Sequence, residues 1–352
     1  MNDLQVFADG QAAQQMRTYR IPGLAGGAVF EGKTVWSAGY GTLRLGGTEP
    51  VTSRTLFHMA SVTKPFVATS VLQLVERGLV DLEAPYSTYV PQLRLADPRG
   101  RSITVKHILT HTAGLPDVSA YNWDSPEFDD GALDRYIDSL SQLQLLSPPG
   151  ERFSYSDIGF DILGALIARV SGIAFEDYVA RELLHPIGMQ SSSLLLRAVD
   201  PNLLAAPHML DERGCPQVAA TFPYNRRHAG SSTLYSNVDE MLRWCRLNLG
   251  GGAIDGVRIL RADTHALQWT PVIGQVHSAI PRNGRAGLGW FIFCRNGLRI
   301  VGHMGQDDGF ASLLLLVPDR DLGLVSMANR SYDYAQFGLW DLQFRLIDRL
   351  CG

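Results

Sequence analysis

Lysine is scarce in this chain of 352 residues: Lys33, Lys64 and Lys106 are the only ones among 31 basic residues. The ordinary cause is a GC-rich genome. Such a chain keeps lysine where arginine cannot substitute, and a catalytic base is one such place, because arginine holds its proton and lysine can release it. Basic charge as a whole is also short. The net charge of −4 and an isoelectric point near 6.1 argue against a nucleic-acid partner, which usually needs a basic face. Long apolar runs are missing. The longest, SLLLLVP at Ser312–Pro318, has the length of a strand, so no membrane span is expected. The first twenty residues lack a basic region followed by an apolar one, so they do not read as a signal peptide. With Met1 in place, the expectation is a cytoplasmic protein.

Further absences narrow the chemistry. Cys215, Cys245, Cys294 and Cys351 show no CxxC spacing and read as free thiols of a reducing compartment. His107 and His111 have the spacing of a zinc pair, but no glutamate follows His107 and no third ligand is evident. LGGGA at Leu249–Ala253 lacks the strand–turn–helix and Gly-Lys context of a phosphate loop. No metal and no cofactor are therefore expected. No GxSxG elbow occurs, which argues against an α/β-hydrolase.

Hydrophobic residues make up 45% of the chain and charged ones 19%, an ordinary globular balance. GGAVFEGKTVWSAGYGTL (Gly26–Leu43) holds two β-rich runs around a turn at EGK, which predicts a hairpin. β runs return in GLGWFIFCRNGLRIVGHMG and FASLLLLVPDRDLGLVSMAN, broken at RNG and PDRD. Residues Ala335–Leu350 carry apolar side chains at three- and four-residue spacings, an amphipathic helix. The middle reads mainly helical: PFVATSVLQLVERGLV with Gly78 as a cap, ITVKHILTHTAG with a Thr start and a Gly stop, SDIGFDILGALIARVSG, and AFEDYVARELLHPIGM. The expected fold is mixed α/β (α+β): an antiparallel sheet built from both termini and flanked by helices, with a mainly helical domain inserted. The boundaries are 1–64 with 251–352 for the sheet domain and 65–250 for the helical one, with the active site at their interface.

Ser61 precedes Lys64 by three residues at the start of a helix, so the two side chains share one face. The positive end of a helix disfavours a protonated lysine and favours a developing alkoxide, and both effects make a serine nucleophilic. Pro65 is tolerated in a first turn. Serine is also a common helix cap, and Ser-x-x-Lys arises by chance in about one such chain in five, so the pair alone decides nothing. Downstream lie Tyr155-Ser156-Asp157, in a loop before a helix, and His303-Met304-Gly305, on a β run. Asp307-Asp308 reads as turn chemistry rather than as a further site acid.

Ser-x-x-Lys, a Tyr-x-Asn-like motif and His-x-Gly, in that order, resemble the serine β-lactamase and penicillin-binding-protein superfamily, and most of all its class C β-lactamase and esterase branch. HILTHTAGLPD, HPIGMQSSS and AGSSTLYSNVDEMLRW are similar to the same branch. The resemblance covers roughly Val29 to Arg330. It implies that Ser61 is the acylated nucleophile, Lys64 its base or proton relay, and Tyr155 a second base at the leaving group. It also implies an oxyanion hole formed by the backbone N–H groups of Ser61 and Gln306. His303 would lie beside the substrate and Tyr155, and Gly305 would let the substrate backbone approach the strand.

Two positions depart from the pattern. Asp157 stands where the family has Asn. A carboxylate only accepts hydrogen bonds, so it loses a donor to an amide-bearing substrate, holds Lys64 charged, and moves the proton relay toward Tyr155. It favours a substrate that presents an amine or other donor. His303 stands where a lysine would give fixed positive charge. Histidine is mostly neutral near pH 7, which weakens the case for a carboxylate-bearing antibiotic or cell-wall peptide. The expected function is a serine hydrolase acting through a Ser61 acyl-enzyme on esters or small amides. The alternative is an acyltransferase or peptide-cyclising thioesterase of the same fold; a β-lactamase, a D-Ala-D-Ala carboxypeptidase and a non-catalytic binding module follow. The expected partner is a small-molecule acyl substrate (ester, thioester or amide), with the oligomeric state left open.

Overall fold

Glu31 and Gly32 both take positive φ, 49° and 73°, the conformation of a tight turn whose twist matches a hairpin. That turn joins β1 (Gly23–Phe30) to β2 (Lys33–Gly41), preceded by α1 (Asp3–Tyr19). The structure is a computed structural model that describes residues 3–274, 283–332 and 338–352. There follow β3 (Phe57–His58), α2 (Thr63–Glu76), α3 (Val105–Leu109), α4 (Ala132–Ser139), α5 (Asp157–Ser171) and α6 (Phe175–Val179). After β4 (His208–Leu210) and β5 (Pro216–Val218) come α7 (Ala229–Ser232), β6 (Tyr235–Ser236), α8 (Val238–Leu249), β7 (Ala253–Ile254), β8 (Val257–Arg258) and α9 (Ala262–Gln268). The chain closes with β9 (Ile273–Gly274), β10 (Arg285–Ala286), β11 (Phe291–Arg295), β12 (Leu298–Asp307), β13 (Phe310–Val317), β14 (Leu322–Ala328) and α10 (Leu339–Cys351).

The main sheet is antiparallel, in the order β2-β1-β14-β13-β12-β11-β10-β9. The two termini meet where β1 pairs with β14, with Gly27 opposite Val325. The expected sheet from both chain ends is thus present. β13 reads as a continuous apolar run because both of its faces are covered. Leu314 and Leu316 join the helix-rich core with α2 and α5, whereas Leu313, Leu315 and Val317 pack with residues of α1 and α10 on the other face. The helix α8, within the span 65–250, packs on β1 and β14.

The central helix α2 is buried from Thr63 to Leu74, the pattern of a helix apolar on all sides within a large core. Phe66 stacks on Trp244 at 3.8 Å between ring centroids. Gly78 follows α2 with φ 69°, as a cap requires. Ser156 caps α5 by accepting from the Gly159 N–H, and Gly172 ends it with φ 75°. Those two signals place Asp157 on the first turn of α5.

Several expectations need correcting. Residues 3–19 form a helix that the sequence reading did not anticipate. The helix begun by Thr104 stops at Leu109, five residues before Gly114, because His111 takes a left-handed φ of 54°. AFEDYVARELLHPIGM is a short α-helix continued by a wider turn of π type over Ala180–Leu184. The C-terminal helix is seen from Leu339; residues 335–337 of the expected span lie outside the described residues.

Candidate active site

Ser61 sits in a turn that is held on every side. β3 pairs with β6, Met59 N–H donates to the Leu234 carbonyl at 2.7 Å, and Ser312 Oγ donates to the Met59 carbonyl at 2.7 Å. Ala60 between them takes φ 47°, a costly conformation for a residue with a Cβ. Ser61 lies in a single 3₁₀ turn, Ala60–Val62, and the α-helix begins at Thr63. It therefore precedes α2 rather than opening it.

Lys64, one turn on, is fully buried. Its Nζ donates to Ser61 Oγ at 3.0 Å and to the Ser231 carbonyl at 3.0 Å. The same ammonium pairs with Asp157 Oδ1 at 2.6 Å. The Tyr121 hydroxyl donates to Asp157 Oδ2 at 2.5 Å. The Asp157 backbone N–H donates to Asp117 Oδ1 at 2.8 Å. Both oxygens of Asp157 are thus engaged inside the protein.

Tyr155 completes this wall. Its phenol is hydrogen-bonded to Ser61, and its pKa lies well above the usual 10 because of desolvation first and the Asp157 charge second, with the Ser61 bond opposing. At rest it is a neutral phenol. Lys64 Nζ lies 4.9 Å from the centre of its ring. The other side of the ring group is backed by His111, stacked at 4.4 Å. His111 Nδ1 accepts from the Ser156 N–H at 3.2 Å, and burial, then the Lys64 charge, hold this imidazole neutral.

The facing wall is β12. A Cβ on Gly305 would lie 2.2 Å from the Met59 carbonyl and 3.0 Å from the Ser61 nitrogen, so the strand backbone passes against the nucleophile turn because this residue has no side chain. The next residue, Gln306, turns its side chain to Tyr332, donating to its carbonyl and accepting from its N–H, both at 2.9 Å. His303 Nδ1 donates to the Met304 carbonyl at 2.6 Å. Burial, then the Lys64 charge, push His303 down to about 3, so its imidazole is neutral.

Asp307 is not turn chemistry. It pairs with His58 at 2.7 Å, with both side chains buried, and so ties β12 to the segment three residues before Ser61. Only Asp308 lies exposed in the turn. His107 and His111 part company: His107 serves the Thr104 cap, while His111 backs Tyr155. The sequence reading missed Tyr121, His111, Ser231 and the His58–Asp307 pair. The phrases LTHTAG and AGSSTLYSN carried His111 and Ser231 in plain view, but nothing local marks Tyr121.

The geometry brings Ser61, Lys64, Tyr155, Asp157, His303 and Gly305 together from three separate stretches of chain. The Beta-lactamase family model matches residues 8–344. The chain belongs to the Beta-lactamase family. It is 28% identical to penicillin-binding protein 4 of Amycolatopsis lactamdurans over 337 residues, covering 95% of this chain and 87% of that protein. It is 26% identical to protein Flp of Staphylococcus aureus, covering 95% of this chain and 64% of that one; the chain thus spans less than two thirds of Flp. Among solved structures, the octameric penicillin-binding protein homologue from Pyrococcus abyssi superposes with a TM-score of 0.81 at 25% identity, over 96% of this chain and 76% of that one. The fold of this Beta-lactamase family member is therefore of the serine-hydrolase type.

Proposed function

We propose that this protein hydrolyses esters or small amides through an acyl-enzyme on Ser61. The observation that carries the reading is the double engagement of one hydroxyl: Ser61 Oγ accepts from Lys64 and is hydrogen-bonded to the Tyr155 phenol. A serine so placed keeps its proton directed at Tyr155 while a cation faces its lone pair. Both features lower the barrier to alkoxide character.

The steps balance without a charged tyrosine. Ser61 Oγ bonds to the acyl carbon, and its proton passes to Tyr155 Oη. The phenol gives its own proton to the leaving oxygen or nitrogen as the bond from that atom to the acyl carbon breaks. Water then attacks the acyl carbon and its proton passes to Tyr155; the phenol proton returns to Ser61 Oγ as the bond from Oγ to the acyl carbon breaks, which releases the free acid. Lys64 remains an ammonium paired with Asp157, and stabilises charge that develops on Oγ. The backbone N–H groups of Ser61 and Gln306 are proposed to hold the oxyanion. The neutral His303 supplies no fixed charge for a substrate carboxylate, which favours neutral esters and amides over acidic antibiotics. Hydrolysis of short p-nitrophenyl esters tests the reading: turnover should vanish in Ser61→Ala. An unchanged rate in that variant overturns it.

A further inference from the structure

The charges around Ser61 do not balance toward the open side of the site. Lys64 is the one cation in direct contact with Ser61 among the described residues, and it is already matched by Asp157. Asp117 lies at the rim, exposed, and its Oδ1 accepts the Asp157 and Val118 N–H groups. No salt-bridge partner of Asp117 occurs among the described residues. On the same side Tyr121, whose hydroxyl is spent on Asp157, stacks on Trp123 at 4.8 Å between centroids with an interplanar angle of 13°. Both rings are only half-buried. A stacked aromatic pair beside a carboxylate without a counter-ion is the chemistry that receives an ammonium group, through the ring faces and through charge. A second observation points the same way from the strand wall. His303 Nδ1 donates to a carbonyl, so Nε2 is an acceptor; it is buried and has no partner, in a residue 2% exposed. The unused groups of the site are therefore acceptors and π faces, and they await a donor.

We infer that the substrate carries an ammonium group, seated on Tyr121 and Trp123 and balanced by Asp117. This rests on the acyl-enzyme reading and names its substrate class: small cationic esters or amides, with anionic ones disfavoured. Like-charged substrates lose affinity in such a site, and opposite charge raises both encounter and binding.

The test compares p-nitrophenyl esters of three acyl groups of equal size: trimethylammoniobutanoyl, its carbon isostere dimethylhexanoyl, and sulfobutanoyl. A second set places the trimethylammonium or its carbon isostere on the leaving alcohol. Acylation of Ser61 is followed by intact mass, and kcat/KM by product release. The cation should exceed its isostere about tenfold in at least one set, and the sulfonate should fall about tenfold below the neutral ester. In Asp117→Asn and in Trp123→Leu the cation-to-isostere ratio should shrink about fivefold; taking the ratio within each variant cancels any general loss. Equal rates across the charges, with Ser61 acylated, overturn this inference and leave the hydrolase reading standing. Failure of every ester to acylate Ser61 overturns both.

Discussion

The two walls that face Ser61 are built on different principles. The helical wall, from α2, α5 and the loops beside them, gathers charge and hydrogen-bonding side chains: Lys64, Asp157, Tyr155 and Tyr121. The strand wall, β12, offers a neutral imidazole, a residue with no side chain and a residue whose side chain is turned away. The helical wall sets where protons go, and the strand wall sets how closely the backbone approaches. A buried ion pair can be placed accurately on a helix because capping signals at Ser156 and the turn before Thr63 fix its register. A strand in the middle of a sheet gives a rigid edge at no electrostatic cost.

Breaking the helical wall should have the largest effect. Lys64→Met leaves the Asp157 carboxylate buried and unpaired, a change that costs about 3–5 kcal/mol of stability, measurable by denaturant unfolding. The double variant with Asp157→Leu should regain much of that stability and none of the ester turnover. Tyr155→Phe removes the phenol without touching the pair, so kcat should fall by about 10²–10⁴ with little change in unfolding. The strand wall is broken by Gly305→Ala. Its new methyl group meets the Met59 carbonyl, pushes β12 from the nucleophile turn, and should lower kcat about 10²–10³-fold, the cost of losing one oxyanion donor.

His303→Lys tests whether the walls differ in charge by design. It should raise the relative rate on sulfonate esters about tenfold, the equivalent of about 1.4 kcal/mol, and lower it on cationic ones. The smallest effect is expected from pH. Although part of Asp117 is exposed, desolvation of its carboxyl first and the Asp157 charge second push it up to about 6. A raised carboxyl is protonated below that value, so preference for a cation should be present above pH 6 and fade as pH drops through it. Because Asp117 is exposed, salt should weaken the same preference. A preference that grows on acidification would remove Asp117 from the account.

The sheet and its helices were legible because their signals are local. A turn at Glu31-Gly32, a cap at Ser156 and the apolar runs at both chain ends each lie within a few residues of the structure they specify. The helix α1 escaped because the residues it buries, Leu4, Ala8, Ala12 and Gln15, make too thin an apolar stripe to stand out. The site was legible where a motif is compact, as in Ser61 with Lys64. It was not legible where a pair is closed by the fold. Two adjacent aspartates read as a turn, yet Asp307 is spoken for by His58, 249 residues away. Tyr121 reaches Asp157 across 36 residues from a loop with no periodicity. The consequence of Asp157 was half visible: its identity announced a carboxylate beside Lys64, but not that Tyr121 would occupy its second oxygen and move the open acceptor role outward to Asp117.

The central claim, a covalent acyl group on Ser61, is tested most directly by intact-mass measurement after brief exposure to a short activated ester, followed by peptide mapping. The expected result is one added acyl group per chain, carried by the peptide containing Ser61 and absent from Ser61→Ala. An adduct that persists in Ser61→Ala, or turnover of the ester by a Ser61→Ala chain, would contradict it.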